Sequence, residues 1–439
     1  MTILAILAGT ITAAILGFLP GMHAYNVLGV AVLAIHCAQI HGHTIPMQAL
    51  VPGTVALITA FAILSAIPAI YLAAPEESGF LVVQPGRKYL QRGRGFEAVA
   101  MTAVGAMCSL TIMLPCLLLS GTHLLPILRA VITPHQHWIV WCVIVFMLQS
   151  EWPRGGLHGQ AGAHKLLDGW HSLGIGLITF LLSGLLGFLL FYRSPVPPEA
   201  AFQSLMPAFV GLFTLPSLIL YLLEDCTIPT QTFATARLNS RVILKGTLAG
   251  TWGGAFAAFV PGITGGVGGM LAGHATATRD DRTFLISQGA SKTLYYTGGL
   301  LLLLVPGLHL KRGGAAALLS TVYQPTGSEL TLGLAAAALS AATALMFLRP
   351  ASRLMAWLIL RLGCRRLSCT ALFGSLVIIL SMTGIAGLGV ATVATGIGLL
   401  PVLYGGRRMN CLGIILLPLA CNLSGVGNHV ANLLGLLSP

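Results

Sequence analysis

Hydrophobic residues run along this chain in long, unalternating blocks, interrupted by short clusters of Gly, Pro and basic residues. The blocks fall roughly at 2–19, 24–40, 47–74, 96–118, 133–149, 169–191, 203–223, 247–260, 264–275, 293–310, 314–323, 329–348, 351–362, 370–381, 383–401 and 410–424. A membrane strand alternates apolar and polar residues over about ten positions. Blocks such as LLLLLVPGLHL (300–310) and VIVFML (143–148) do not alternate, so they read as helices. At about 20 residues per crossing, several are too short to span alone. The pattern predicts an all-α polytopic membrane protein with about 10–12 transmembrane helices and some half-helices. Composition agrees: 56% of the 439 residues are hydrophobic and 8% are charged, against about 25% charged in a soluble domain.

An internal repeat organises the blocks. AGTITAAILGFLPG (8–21) and AGTWGGAFAAFVPG (249–262) stand at a constant offset, with Ala8, Gly9, Thr10, Ala14, Phe18, Pro20 and Gly21 matching Ala249, Gly250, Thr251, Ala255, Phe259, Pro261 and Gly262. Fainter echoes follow in order, as in GIGLIT (174–179) and GLGVAT (387–392). The expected organisation is a first membrane repeat over 1–223, a linker over 224–241 and a second repeat over 242–439. Duplicated membrane units with broken helices are the sequence pattern of secondary transporters.

Each repeat opens with a helix broken at Pro-Gly. Proline removes a donor and bends the helix, and glycine admits backbone shapes that other residues avoid. The first break is Pro20-Gly21, followed by His23 and Asn26; the second is Pro261-Gly262, followed by Thr264, Gly265 and Gly266. A helix restarting after a break points N–H groups and a partial positive charge at what lies ahead, which suits an anion. Two such tips facing each other would clamp a carboxylate or phosphate. The expected substrate site is therefore Pro20, Gly21, His23, Asn26, Pro261, Gly262, Thr264, Gly265 and Gly266.

The net charge of +12 and pI near 9.6 do not indicate nucleic acid. The Arg and Lys residues sit in short loops, where they set topology and meet anionic headgroups of membrane lipids. Most acidic residues, Glu76 and Glu77 among them, also fall between apolar blocks. That disfavours a carboxylate proton relay. Lys292 reads as an interfacial residue whose ammonium reaches toward water. Hydroxyls in TIPTQT (227–232), SQGASKT (287–293) and STVYQPTG (320–327) offer oxygens to a coupling sodium, and His23 offers a titrating group. The scattered Cys residues and the His41/His43 and His135/His137 pairs lack metal-ligand spacing. No P-loop, G-x-S-x-G or H-E-x-x-H is present, so no enzyme activity and no cofactor are expected. The N-terminal block has no basic n-region and reads as a retained helix.

Five stretches carry a family resemblance: GFLPGMHAYN (17–26), QPGRKYLQRGRGFEAVAMTAVGA (84–106), GLFTLPSLIL (211–220), AAFVPGITGGVGGMLA (257–272) and GIGLLPVLYGGRRMNCLGIILLP (396–418). In this order they resemble the large permease subunit of tripartite tricarboxylate transporters, the TctA family, and its archaeal stand-alone branch. The resemblance implies a multi-pass plasma-membrane secondary transporter of di- or tricarboxylates, coupled to Na+ or H+. It also implies a small membrane subunit and an extracytoplasmic solute-binding protein as partners. A homodimer is a further expectation. The first break reads PGMHAYN where bacterial members are glycine-rich, and no acidic residue follows the second. Pro-Gly followed by Gly-Gly is also similar to polyprenyl-phosphate transporters, so a lipid-phosphate translocase is the alternative. A third class, a membrane scaffold, would have no polar cavity.

Overall fold

Lipid offers no partner to a peptide group, so each apolar block must satisfy its own backbone. The computed structural model describes residues 1–41, 46–152, 162–197, 203–223, 227–235, 237–277, 280–326 and 329–437, and among these every regular element is helical. Five helices are long and apolar enough to cross a membrane: Ala49–Tyr71, Gly95–Gln149, Leu166–Tyr192, Met206–Leu223 and Glu329–Leu403. A sixth arises if Arg408–Leu423 and Gly427–Leu433, bent by 117°, form one span. Shorter apolar helices cover Thr2–Leu16, Ala24–Ile40 and Gly313–Val322. The run Glu329–Leu403 contains left-handed glycines, Gly363 (φ 77°) and Gly384 (φ 68°). A right-handed helix cannot continue unchanged through such residues, so the run divides into 329–362, 364–383 and 385–403. The basic stretch between the expected blocks at 351–362 and 370–381 is thus helical and not an open loop.

The chain forms two compact units. One contains Met1–Val131 and Ser217–Ser375, the other Ile132–Pro216 and Leu376–Pro439. Each unit therefore joins a stretch from before the 224–241 segment to one from after it.

In the first unit, Thr2–Leu16 packs on Met47–Leu64, and Ser240–Phe259 packs on both Gly265–Ala275 and Asp281–Thr293. The polar stretch 287–293, expected to precede a helix, lies inside one. Asp280 caps it by accepting the Thr283 N–H at 3.0 Å, and Ser287 returns its hydroxyl to the Phe284 carbonyl at 2.9 Å. Such local bonds let polar residues be helical and buried together. Helices Gly95–Ile132 and Asp281–Thr293 cross with backbones almost touching. A methyl group at Gly105 would lie 1.9 Å from the Ile286 carbonyl oxygen, and one at Gly289 would lie 2.0 Å from the Thr102 carbonyl oxygen.

In the second unit, Ala163–Tyr192 packs on Gly413–Leu423. Buried Glu151 accepts the Arg407 amide at 2.9 Å and the Asn410 side-chain amide at 2.6 Å. Burial pushes the Glu151 carboxyl above its usual range, against the pull of those donors and of the Arg407 charge.

The Gly105–Gly289 crossing yields a stability prediction. Gly289→Val forces the two backbones apart and is expected to destabilise the protein by about 1–3 kcal/mol. A melting curve in detergent reads this as a lowered midpoint; an unchanged midpoint would show that the crossing carries no packing constraint.

Candidate functional site

The two breaks have the same local geometry. Thr2–Leu16 ends in a turn, Gly21 is left-handed at φ 82°, and Ala24–Ile40 restarts behind an extended His23 (φ −108°, ψ 148°). Ser240–Phe259 ends at an extended Val260, Gly262 is left-handed at φ 76°, and Gly265–Ala275 restarts behind an extended Thr264 (φ −87°, ψ 162°). A residue with a Cβ would be strained at either glycine.

Of the first break's residues, Pro20 is buried and its carbonyl accepts the Ser375 hydroxyl at 3.0 Å. Asn26 is buried, and its backbone N–H donates to the His23 carbonyl at 3.0 Å. His23 Nδ1 accepts the Tyr25 N–H at 3.0 Å and so caps the new helix with its own ring. The ring's other nitrogen, Nε2, lies 3.0 Å from the Tyr296 hydroxyl and 3.4 Å from Glu77 Oε1. Tyr25, Phe61 and Tyr296 surround the imidazole with ring centroids 4.1, 4.8 and 5.5 Å away.

The second break meets the same neighbourhood from another side. Pro261 and Gly262 are half-buried. Thr264 is buried, and its hydroxyl makes no hydrogen bond. Gly265 gives its carbonyl to Ser291 Oγ at 2.6 Å, and a methyl group there would lie 2.8 Å from Lys292 Cα. A methyl group at Gly266 would lie 2.8 Å from the Ser78 carbonyl oxygen. Two elements thus bridge the breaks: the stretch around Glu76–Phe80, and the helix around Ser291–Tyr296.

Those bridging elements hold the charged groups. Lys292 is 5% exposed; its ammonium lies 2.7 Å from Glu76 Oε1 and donates to Ser65 Oγ at 2.7 Å. Glu76 Oε2 accepts the Ser78 N–H at 2.6 Å. The Tyr296 oxygen lies 2.6 Å from Glu76 Oε2 and 2.8 Å from Glu77 Oε1. Leu294–Gly298 is a π-turn, one residue wider than an α-helical turn. Such bulges occur often at functional sites, and here the turn holds Tyr295 and Tyr296, with ring centroids 4.9 Å apart.

This corrects two expectations. Glu76 and Glu77 do sit in a loop between apolar blocks, but that loop folds into the interior behind Ala66–Tyr71, so its carboxylates are available to a buried site. Lys292 is not an interfacial residue, because its helix begins at Asp281 and buries it. His23, Glu76 and Glu77 each place a ligand-type atom within 4.8 Å of the others. However, Glu76 already has the Lys292 ammonium, and a neutral His23 whose Nδ1 accepts an N–H must carry its own hydrogen on Nε2. Beside these groups is a cavity of about 10 Å³, room for roughly one water, lined in part by Ser78, Gln288, Lys292 and Thr293. The hydroxyls of Ser78 and Thr293 and the side-chain amide of Gln288 make no hydrogen bonds. Of the expected polar stretches, 287–293 contributes to this region. His43 lies outside the described residues.

Long apolar helices around a buried polar site, approached by two broken helices, define a multi-pass membrane protein of transporter type. The family model of the tripartite tricarboxylate transporter TctA family matches residues 3–413, and the chain belongs to that family. It is 24% identical over 290 residues to an uncharacterized protein of Methanocaldococcus jannaschii, covering 66% of this chain and 64% of that protein. The chain thus spans just under two thirds of that relative's length. No solved structure matches.

The Lys292–Glu76 pair supplies a double-mutant prediction. Lys292→Met leaves a buried carboxylate without its cation, which costs about 3–5 kcal/mol. Lys292→Met with Glu76→Gln removes both charges and is expected to recover most of that loss in a thermal melt. If the double variant melts as low as the single one, the two groups are not paired.

Proposed function

We propose that this chain is the permease of a secondary active transporter for an organic anion of the di- or tricarboxylate class, acting in the plasma membrane. The family supports transport in general, and its transporters are tripartite. A small membrane subunit and a solute-binding protein are therefore the partners we propose. The observation that carries the site reading is the convergence of both broken helices on one buried polar cluster. The restarting helices present N–H groups, and the unbonded hydroxyls of Ser78, Thr264 and Thr293 add donors. A membrane scaffold has no use for such a cluster.

We propose further that 1–223 and 242–439 are duplicated repeats. Three features support this: the breaks share one geometry, each restarting helix begins just after its extended cap, and both preceding helices make close glycine contacts. A methyl group at Gly9 would lie 2.3 Å from the Gly53 carbonyl oxygen, and one at Gly250 would lie 2.2 Å from that of Ser287. In this reading the repeats rock about the site to alternate access.

The test is uptake into proteoliposomes of citrate, smaller carboxylates and a short-chain polyprenyl phosphate, under sodium or proton gradients. Carboxylate uptake is the expected result; movement of the polyprenyl phosphate alone would replace it with the lipid-phosphate reading. Gly262→Leu strains a left-handed position by about 1–2 kcal/mol. A loss of uptake of about five- to thirtyfold is expected, with the protein still recovered folded. Full uptake by this variant would remove the break from the site.

A further inference from the structure

Two buried or half-buried carboxylates converge on the oxygen of Tyr296, a phenol with a single hydrogen to offer them. Three atoms surround the Tyr296 oxygen at hydrogen-bonding distance: Glu76 Oε2 at 2.6 Å, Glu77 Oε1 at 2.8 Å and His23 Nε2 at 3.0 Å. One phenol hydrogen shared between two carboxylates serves each less well than a hydrogen of its own. The phenol supplies one, and it can accept two more on its lone pairs. His23 supplies the second from Nε2, because its Nδ1 accepts the Tyr25 N–H. A third hydrogen, on one of the two carboxyl groups, gives each contact its own hydrogen and removes the repulsion between two carboxylates on one phenol.

The environment decides which carboxyl carries it. Glu76 accepts the Ser78 N–H on Oε2, and its Oε1 lies beside the Lys292 ammonium. Both oxygens of Glu76 thus already face a donor. Among the described residues Glu77 has no Lys or Arg partner, and His23 Nε2 lies 3.4 Å from it. Burial raises the Glu77 carboxyl, but the charge and hydrogen bond of a protonated His23 and the hydrogen bond from Tyr296 outweigh it and hold the group below its usual range. That pull needs an imidazolium, whose second N–H would turn against the Tyr25 amide and break the helix cap. With Glu77 protonated, the Glu76–Lys292 pair neutral and His23 neutral, the cluster has no net charge. That is the arrangement a buried site tolerates best. The titratable groups that touch or act on Glu77 are His23, Tyr25, Tyr295 and Tyr296, with Glu76 next to it in the chain and Lys292 paired to Glu76.

We propose that Glu77 holds an exchangeable proton, hydrogen-bonded to Tyr296, and that this proton is the coupling ion. His23 is then a positioning residue: its cap fixes the tautomer that leaves the proton on Glu77. Removing that proton leaves two carboxylates facing one phenol, a repulsion that opening the first break relieves. The proton thereby ties the charge of the cluster to the geometry of the site. The coupling half of this proposal rests on the transport reading above; the protonation half does not.

The experiment has two arms. Infrared difference spectra of the purified full chain, titrated in pH without substrate, are expected to show a protonated-carboxyl band that Glu77→Gln removes and Glu76→Gln does not. No such band, or one that survives Glu77→Gln, overturns the proposal. In proteoliposomes, an inward proton gradient is expected to drive citrate accumulation in the native protein, with a loss of at least about tenfold in Glu77→Gln. Accumulation driven by sodium alone, or undiminished in Glu77→Gln, also overturns it. If the native protein moves none of the anions while the band behaves as expected, the transport reading fails and the coupling role falls with it, while the protonated Glu77 stands.

Discussion

A lysine and a glutamate buried 2.7 Å apart set the terms for everything around them. Removing either charge from water costs several kcal/mol, and their attraction offsets this only with good geometry and further hydrogen bonds. Ser65 and the Ser78 amide supply those bonds. To deliver them, the helix Ala49–Tyr71 must bring Ser65 inward, and the loop after it must fold back. The helix Asp281–Thr293 must also approach closely enough to place Lys292, which the glycine crossing with Gly95–Ile132 permits. A buried ion pair of this kind is a poor device for stability alone, since hydrophobic residues of similar volume often serve better. Its retention makes sense where charge is used.

The broken helices complete that arrangement. Each break lets a chain enter the unit as one helix and leave its tip as another, with the cap residue facing inward. In the first the cap is itself part of the charged network, because the His23 ring uses one nitrogen for the helix and the other for Tyr296. Helix start and site chemistry are thus not separable at this residue. In the second break Thr264 caps through backbone geometry alone, and the glycines after it allow Ser78, Ser291 and Lys292 to come close. One tip offers a titratable ring and the other offers bare backbone.

Much of this was legible in the residues and some was not. Pro-Gly after an apolar block states its own consequence, so both breaks and both restart points could be placed to within a residue or two. The all-helical membrane character follows from block length and the scarcity of charge. The buried carboxylates were not legible. Pro75, Glu76, Glu77, Ser78 and Gly79 form a polar, turn-rich string, and nothing local distinguishes a string that folds inward from one that faces water. Lys292 was hidden likewise, in a polar segment whose helicity depends on the Asp280 cap and on hydroxyls that bond back to the chain. The contacts of Glu76 and Glu77 with Tyr296, and that of Lys292 with Ser65, join positions more than 200 apart in the chain. The one local hint was Tyr295-Tyr296, two phenols at the edge of an apolar run.

The interleaving of the two compact units has a consequence for how the protein is made. Residues 1–131 find the rest of their unit only in 217–375, and the intervening stretch belongs to the other unit, which is completed last of all by 376–439. At a synthesis rate of roughly 5–20 residues per second, residues 132–216 alone impose a wait of roughly 4 to 17 s. During it Glu76 and Glu77 have been made and Lys292 has not. The nascent chain therefore carries Glu76 without its cation until the helix Asp281–Thr293 has been made, so the buried pair can form only late in synthesis.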